Sequence, residues 1–272
     1  MSNTYEIYLV SDSTGETLDR IFLALKAQFN KIDYKIYQYS FTRTENQIAK
    51  IIDICKKRKN CIILYTIVDT KLAKILNLKS KKEKIPCFGV LGELILSFSK
   101  LLNQKASHVP SGQHVLDEDY YNRIEAIQFT MNHDDGNLIG GVTKSDIILL
   151  GVSRTSKTPT SIYLANRGYK TINIPLVMDQ KIPSDLSSNS KACIIGLVAD
   201  PERLADIRRN RVAIMNDYQI KDYTDLSYIK KEVTESKILF KKNNWPVIDV
   251  TRRSVEETAA SILKIIEIKR NK

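Results

Sequence analysis

Cysteine is scarce and scattered. The chain has four (Cys55, Cys61, Cys87 and Cys193) in 272 residues, mostly within apolar segments, and no C-x-x-C pair occurs. That argues against a disulfide framework or a thiolate metal site and for reduced, buried thiols. No apolar run approaches the roughly 20 residues that cross a bilayer. The opening Met1-Ser2-Asn3-Thr4-Tyr5 has neither the basic nor the apolar region of a signal peptide. A cytoplasmic protein with no membrane partner is expected. No stretch interleaves basic and aromatic residues as RNA-binding segments do. The net charge of +11 therefore does not by itself indicate nucleic acid. The excess is mostly lysine spread along a chain also rich in Ile and Asn, and it favours anionic ligands and acidic partner surfaces. Its densest cluster, Lys79 to Lys84, reads as a solvated loop. Internal repeats and low-complexity segments are absent.

What is present is alternation. Short apolar runs, such as Tyr5–Val10, Tyr34–Tyr39, Cys61–Val68 and Pro86–Leu91, are separated by helical patterns at Glu16–Phe29, Thr44–Lys56 and Glu93–Leu102. Texture changes at Ser107–His114, which suggests a boundary, with domains over 1–106 and 107–272. The second half holds a helical stretch (Asp119–Met131) and apolar runs at Ile147–Leu150, Ile172–Val177, Cys193–Ala199 and Val247–Val250. A helix is expected over Pro201–Asn216, and Ser254 with Glu257 forms a capping box for a last helix. The class is α/β: an open N-terminal α/β domain, then a P-loop kinase-like α/β domain with a mainly parallel sheet.

The string Gly151-Val152-Ser153-Arg154-Thr155-Ser156-Lys157-Thr158 follows one of these runs and precedes Pro159–Ala165, which suits a first helical turn. It matches G-x-x-x-x-G-K-[ST] with Ser156 in place of the second glycine. Strand, loop and helix in that order aim backbone N–H groups and a helix N-terminus at one small volume, which suits phosphate. Lys157 would put a point charge on the outer phosphates, Arg154 could add a bidentate contact, and Thr158 would offer a hydroxyl to Mg2+. The same residue types also make a Ser/Thr/Lys-rich surface loop; the flanking strand and helix favour phosphate.

Three further groups could carry chemistry. Ser11-Asp12-Ser13-Thr14-Gly15-Glu16-Thr17 joins the first strand to the first helix and could hold a phosphate or a partner loop. Ser13 and Glu16 also fit a simple capping box, the stronger reading on spacing alone. His133-Asp134-Asp135-Gly136 sets a histidine beside two carboxylates, which could hold a phosphate and take or orient a proton. It is equally good turn chemistry. Asp200 ends a strand as a Walker-B acid does, yet Asp200-Pro201 also reads as a helix start. Arg203, Arg208, Arg209 and Arg211 follow, fit either to stabilise a transferring phosphoryl group or to form a solvated face.

Taken together, Val10–Thr17, His133–Gly136, Gly151–Ser161 and Asp200-Pro201-Glu202-Arg203-Leu204 resemble the pyruvate, phosphate dikinase regulatory protein family, whose sister group regulates phosphoenolpyruvate synthase. The strings run in family order over nearly the whole chain. The resemblance implies a bifunctional enzyme: ADP-dependent phosphorylation of a threonine on the dikinase, and phosphorolysis of that phosphate by inorganic phosphate with release of pyrophosphate. It maps the ADP segment onto Gly151–Thr158. Lys157, Asp135, His133 and Asp134 are the catalytic candidates, and Ser11, Asp12, Ser13, Thr14, Gly15, Asp200, Arg203 and Arg208 are candidate phosphate or partner contacts. Phosphoenolpyruvate synthase as target, an ATP-dependent small-molecule kinase and a non-enzymatic nucleotide-gated module are the alternatives. Oligomeric state stays open, a homodimer included.

Overall fold

A computed structural model describes residues 4–29, 33–113, 115–136, 141–178, 186, 191–215 and 221–271. His114 and Asn216 lie outside the described residues. The described chain gathers into two compact units, residues 1–115 and 116–272.

The first unit is a parallel four-stranded sheet of β1 (Tyr5–Ser11), β2 (Tyr34–Tyr39), β3 (Cys61–Thr66) and β4 (Cys87–Gly89), in the order β2-β1-β3-β4. Helices α1 (Glu16–Lys26), α2 (Glu45–Cys55), α3 (Thr70–Lys82) and α4 (Gly92–Leu101) alternate with the strands. Alternate residues of the central strands point to opposite faces. Tyr8, Val10 and Ile63 therefore meet Ile48, Ile51 and Ile52 of α2, while Ile7, Leu9 and Leu64 meet Leu18 and Phe22 of α1. Each such side chain, fully buried, contributes about 1.5–3 kcal/mol. The lysine cluster is not a loop. Lys79, Lys81 and Lys82 form the last turn of α3, where cations complement the helix dipole. Asp69 caps its start, its carboxylate accepting from the Lys71 and Leu72 N–H groups.

The second unit repeats the strand order. β5 (Ile147–Gly151), β6 (Thr171–Pro175), β7 (Cys193–Val198) and β8 (Val247–Asp249) pair in parallel as β6-β5-β7-β8. Around them lie α5 (Glu118–Asn132), α6 (Lys157–Ala165), α7 (Pro201–Met215), α8 (Lys221–Thr224), α9 (Leu226–Lys242) and α10 (Val255–Arg270). Every residue of β5 is buried. The 17-residue α9 was not expected from the sequence: its buried stripe is Ile229, Val233, Ser236 and Phe240, and the serine breaks the apolar period. The Ser254–Glu257 capping box forms as expected. In both units the chain leaves the first strand for one neighbour and later returns to its other side. The crevice at the carboxyl end of that strand is where open α/β sheets bind ligands.

Candidate functional site

The turn from β5 into α6 is built around close backbone approach. A Cβ on Gly151 would lie 2.6 Å from the Leu197 carbonyl oxygen of β7 and 2.7 Å from Thr155 Oγ1. Only glycine lets the strand end this near its neighbour. Thr155 is fully buried and donates to the Val152 carbonyl at 2.9 Å, which closes the loop on itself. Arg154 and Ser156 both adopt left-handed backbone, with φ of 71° and 57°. For non-glycine residues that costs about 1–2 kcal/mol each, so the loop stores strain of the kind found at functional positions. Ser156 is the N-cap of α6, yet its side chain makes no capping bond. Among the described residues no side-chain bond caps α6, which leaves N–H groups of its first turn available to an anion.

Lys157 opens that turn and is buried, its Nζ donating to the Val152 carbonyl at 3.0 Å. Burial lowers its pKa to about 8; Asp135 and Asp134 act in the opposite direction, while Arg208 and Arg154 lower it further. The structure thus gathers Lys157 with the two carboxylates from the end of α5. They arrive there because Asn173 of β6 exchanges backbone bonds with that segment: its N–H donates to the His133 carbonyl, and its carbonyl accepts from the Gly136 N–H. Asp135 is exposed with φ 50°, and Gly136 follows at φ 86°. Asp134 Oδ1 accepts from Thr158 Oγ1 at 3.2 Å and from Asn173 Nδ2. His133 is held on its own helix: its Nδ1 bonds the Phe129 carbonyl at 2.7 Å, and its ring stacks on Phe129. It closes α5.

Arg208 does not lie on a solvated face but behind the loop. It is fully buried. Nη1 meets Glu232 Oε2 at 2.7 Å and the Tyr223 carbonyl at 3.2 Å, and Nη2 donates to the Ser153 carbonyl at 3.2 Å. Its guanidinium also lies over the Tyr223 ring. Tyr223 Oη in turn bonds Ser153 Oγ at 3.0 Å and accepts from Arg154 Nε at 3.2 Å. α7, α8 and α9 therefore pin the loop from behind. Asn173, Tyr223 and Glu232 carry no sequence signature and were not anticipated. Asp200 caps α7, its carboxylate accepting from the Arg203 N–H at 2.9 Å. Arg203 and Arg211 are exposed, and Arg209 pairs with Asp206 on the surface.

In the first unit, the turn Ser11–Thr17 lines a small pocket with Thr66, Ser111 and Gln113. The Ser13–Glu16 capping box does not form: Gly15, at φ 91°, is the N-cap of α1, and no side chain caps it. Ser13 Oγ instead accepts from Ser111 Oγ at 2.9 Å, and Arg43 donates to Ser111 Oγ and to the Asp12 carbonyl. The Asp12 carboxylate is buried and takes the Val68 N–H at 2.7 Å. The Thr14 carbonyl accepts from Ser40 Oγ.

Among the described residues no helix is long and apolar enough to cross a membrane, and no group of three or more His, Cys, Asp or Glu side chains could hold a metal. The kinase/pyrophosphorylase family model matches residues 7–263. A protein of Pelagibacter ubique (strain HTCC1062) named as a pyruvate, phosphate dikinase regulatory protein is 66% identical over 272 residues, covering 100% of this chain and 99% of its own. Proteins of the same name from Chelativorans sp. (strain BNC1) and Rhizobium meliloti (strain 1021) are each 43% identical, over 96% and 97% of this chain and 96% of their own length.

Proposed function

Because this chain belongs to the kinase/pyrophosphorylase family, we propose that it adds a phosphoryl group to a partner protein and removes it again. In one direction ADP gives its β-phosphoryl group to a threonine of pyruvate, phosphate dikinase, leaving AMP. In the other, inorganic phosphate attacks the phosphothreonine, restoring the hydroxyl and releasing pyrophosphate. The relatives named as dikinase regulators support this choice of partner.

The observation that carries the reading is the loop Gly151–Thr158, with left-handed backbone at Arg154 and Ser156, an uncapped helix behind it and Lys157 buried at its base. Phosphoryl transfer has a loose transition state with charge spread over oxygens, so positioning and electrostatics supply most of the catalysis. Lys157 moves its ammonium from the Val152 carbonyl to the phosphates. Asp135, exposed and near Lys157, orients the threonine hydroxyl. Mg2+ would neutralise charge on the phosphates, with Thr158 among its ligands. One cradle serves both directions, because inorganic phosphate fits where the β-phosphate of ADP sat.

The test uses purified dikinase, ADP and then phosphate, with threonine phosphorylation followed by mass spectrometry and pyrophosphate release by a coupled assay. Phosphoenolpyruvate synthase and ATP run as parallel arms. Phosphothreonine on the dikinase with ADP alone is the expected result; modification only with ATP, or none, refutes the reading. Lys157→Ala is expected to lose both directions together.

A further inference from the structure

Asp134, Thr158 and Asn173 come from three elements and meet beside Lys157. Thr158 Oγ1 is 3.2 Å from Asp134 Oδ1, and Asn173 Nδ2 donates to Thr158 Oγ1 at 2.9 Å and also to Asp134 Oδ1. Asn173 is 1% exposed, and its Oδ1 has no hydrogen-bond partner among the described residues. Leaving a buried acceptor unpaired is unfavourable, so the amide is held in a locally costly setting by the two oxygens it faces. We propose that Asp134, Thr158 and Asn173 form a divalent-cation site of the Mg2+ type, completed by phosphate oxygens of a ligand in the Gly151–Thr158 loop. The phosphate part rests on the nucleotide reading given above.

The chemistry of the donor set fits. A carboxylate, a hydroxyl and an amide carbonyl are hard oxygen ligands. The two ends of an amide are nearly isosteric, so rotation by a half-turn exchanges donor for acceptor in the same place. Without a cation, the NH2 end faces Asp134 and Thr158, since the Asn173 carbonyl would repel the Asp134 carboxylate. With a cation among them, the carbonyl end is favoured. The set also explains why no cluster of acidic side chains is needed. Mg2+ keeps several waters and binds through one or two carboxylates plus substrate phosphates rather than an all-protein cage. The positive Lys157 and the N-terminus of α6 disfavour a cation at this spot; Asp134 and Asp135 oppose them, and phosphate oxygens complete the balance. Asp200, which follows β7 as a Walker-B acid would, has its carboxylate engaged as the cap of α7.

Mn2+ is the probe, with free Mn2+ read by electron paramagnetic resonance in the presence of full-length protein and ADP. The wild type is expected to hold Mn2+ more tightly than ADP does in free solution. D134N and N173A should weaken that by about ten- to a hundredfold, as loss of metal-site residues does. N173D should retain it, because a carboxylate offers an oxygen to the cation in either orientation. N173D should also gain more in melting temperature from Mn2+ than the wild type. Melts without Mn2+ check that each variant folds. Mn2+ affinity unchanged in D134N and N173A overturns the site. N173D failing as N173A does would mean that Asn173 is only a donor to Asp134, which overturns its place as a ligand. Calorimetry with ADP in EDTA tests the nucleotide reading separately. Pyrophosphate replaces ADP in a parallel Mn2+ titration, so the site is read whether or not ADP binds.

Discussion

Glu232→Ala is the most revealing single substitution, because it strands a charge. Arg208 is fully buried, and Glu232, with its side chain 11% exposed, is its only ion-pair partner among the described residues. Removing one member of a buried pair leaves the other uncompensated, at a cost of about 3–5 kcal/mol. Replacing both by apolar side chains of similar volume is often neutral or stabilising. Arg208→Met with Glu232→Leu should therefore recover most of the stability lost in Glu232→Ala. It should not recover binding, since the Ser153 carbonyl has lost the guanidinium that pins it. We expect ADP affinity in the double variant to fall about tenfold, the loss of one charge-assisted hydrogen bond of roughly 1.5–3 kcal/mol only partly replaced by solvent. Urea unfolding followed by Trp245 fluorescence reads the second unit, since Trp245 is the only tryptophan and packs on that core. Calorimetry reads ADP. The reasoning fails if Glu232→Ala costs less than about 1 kcal/mol, or if the double variant is as unstable as the single one.

Other outcomes follow from the loop and its neighbours. Gly151→Ala forces a methyl against the Leu197 carbonyl and should cost about 1–3 kcal/mol by overpacking, read in the same urea assay. Ser156→Gly relieves left-handed strain and should raise stability by about 0.5–1 kcal/mol after the entropy of glycine is subtracted. Asp200→Ala removes only a helix cap and should cost about 1 kcal/mol while leaving ADP affinity within twofold, as checked by melting and calorimetry.

The α/β class, most strands and the loop Gly151–Thr158 were legible because they rest on local pattern: apolar runs, a phosphate-loop string and helix-start residues. The lysines of α3 suggest a solvated loop by charge alone, whereas Leu72, Ile75 and Leu76 carry a helical period beneath them. α9 was hidden by Ser236, a polar residue inside the buried stripe. The supports of the site were illegible for a different reason. Asn173 lies 15 residues from Thr158, Tyr223 70 from Ser153 and Glu232 24 from Arg208, and only folding brings them close. Arg208 looked like its neighbours Arg209 and Arg211, and burial alone separates it from them.

The segment that carries His133 and Asp134 has a second effect, on self-association. β6 stands at one end of its sheet, and an end strand offers unpaired N–H and C=O groups to any passing chain. Here that edge is taken. The Asn173 N–H and carbonyl are bound by His133 and Gly136, and the Thr171 N–H by Thr130 Oγ1. The residues that bring acidity to the loop thus also shield the β6 edge from intermolecular strand pairing. A variant that detaches this segment would expose a sticky edge and lose its chemistry in the same event.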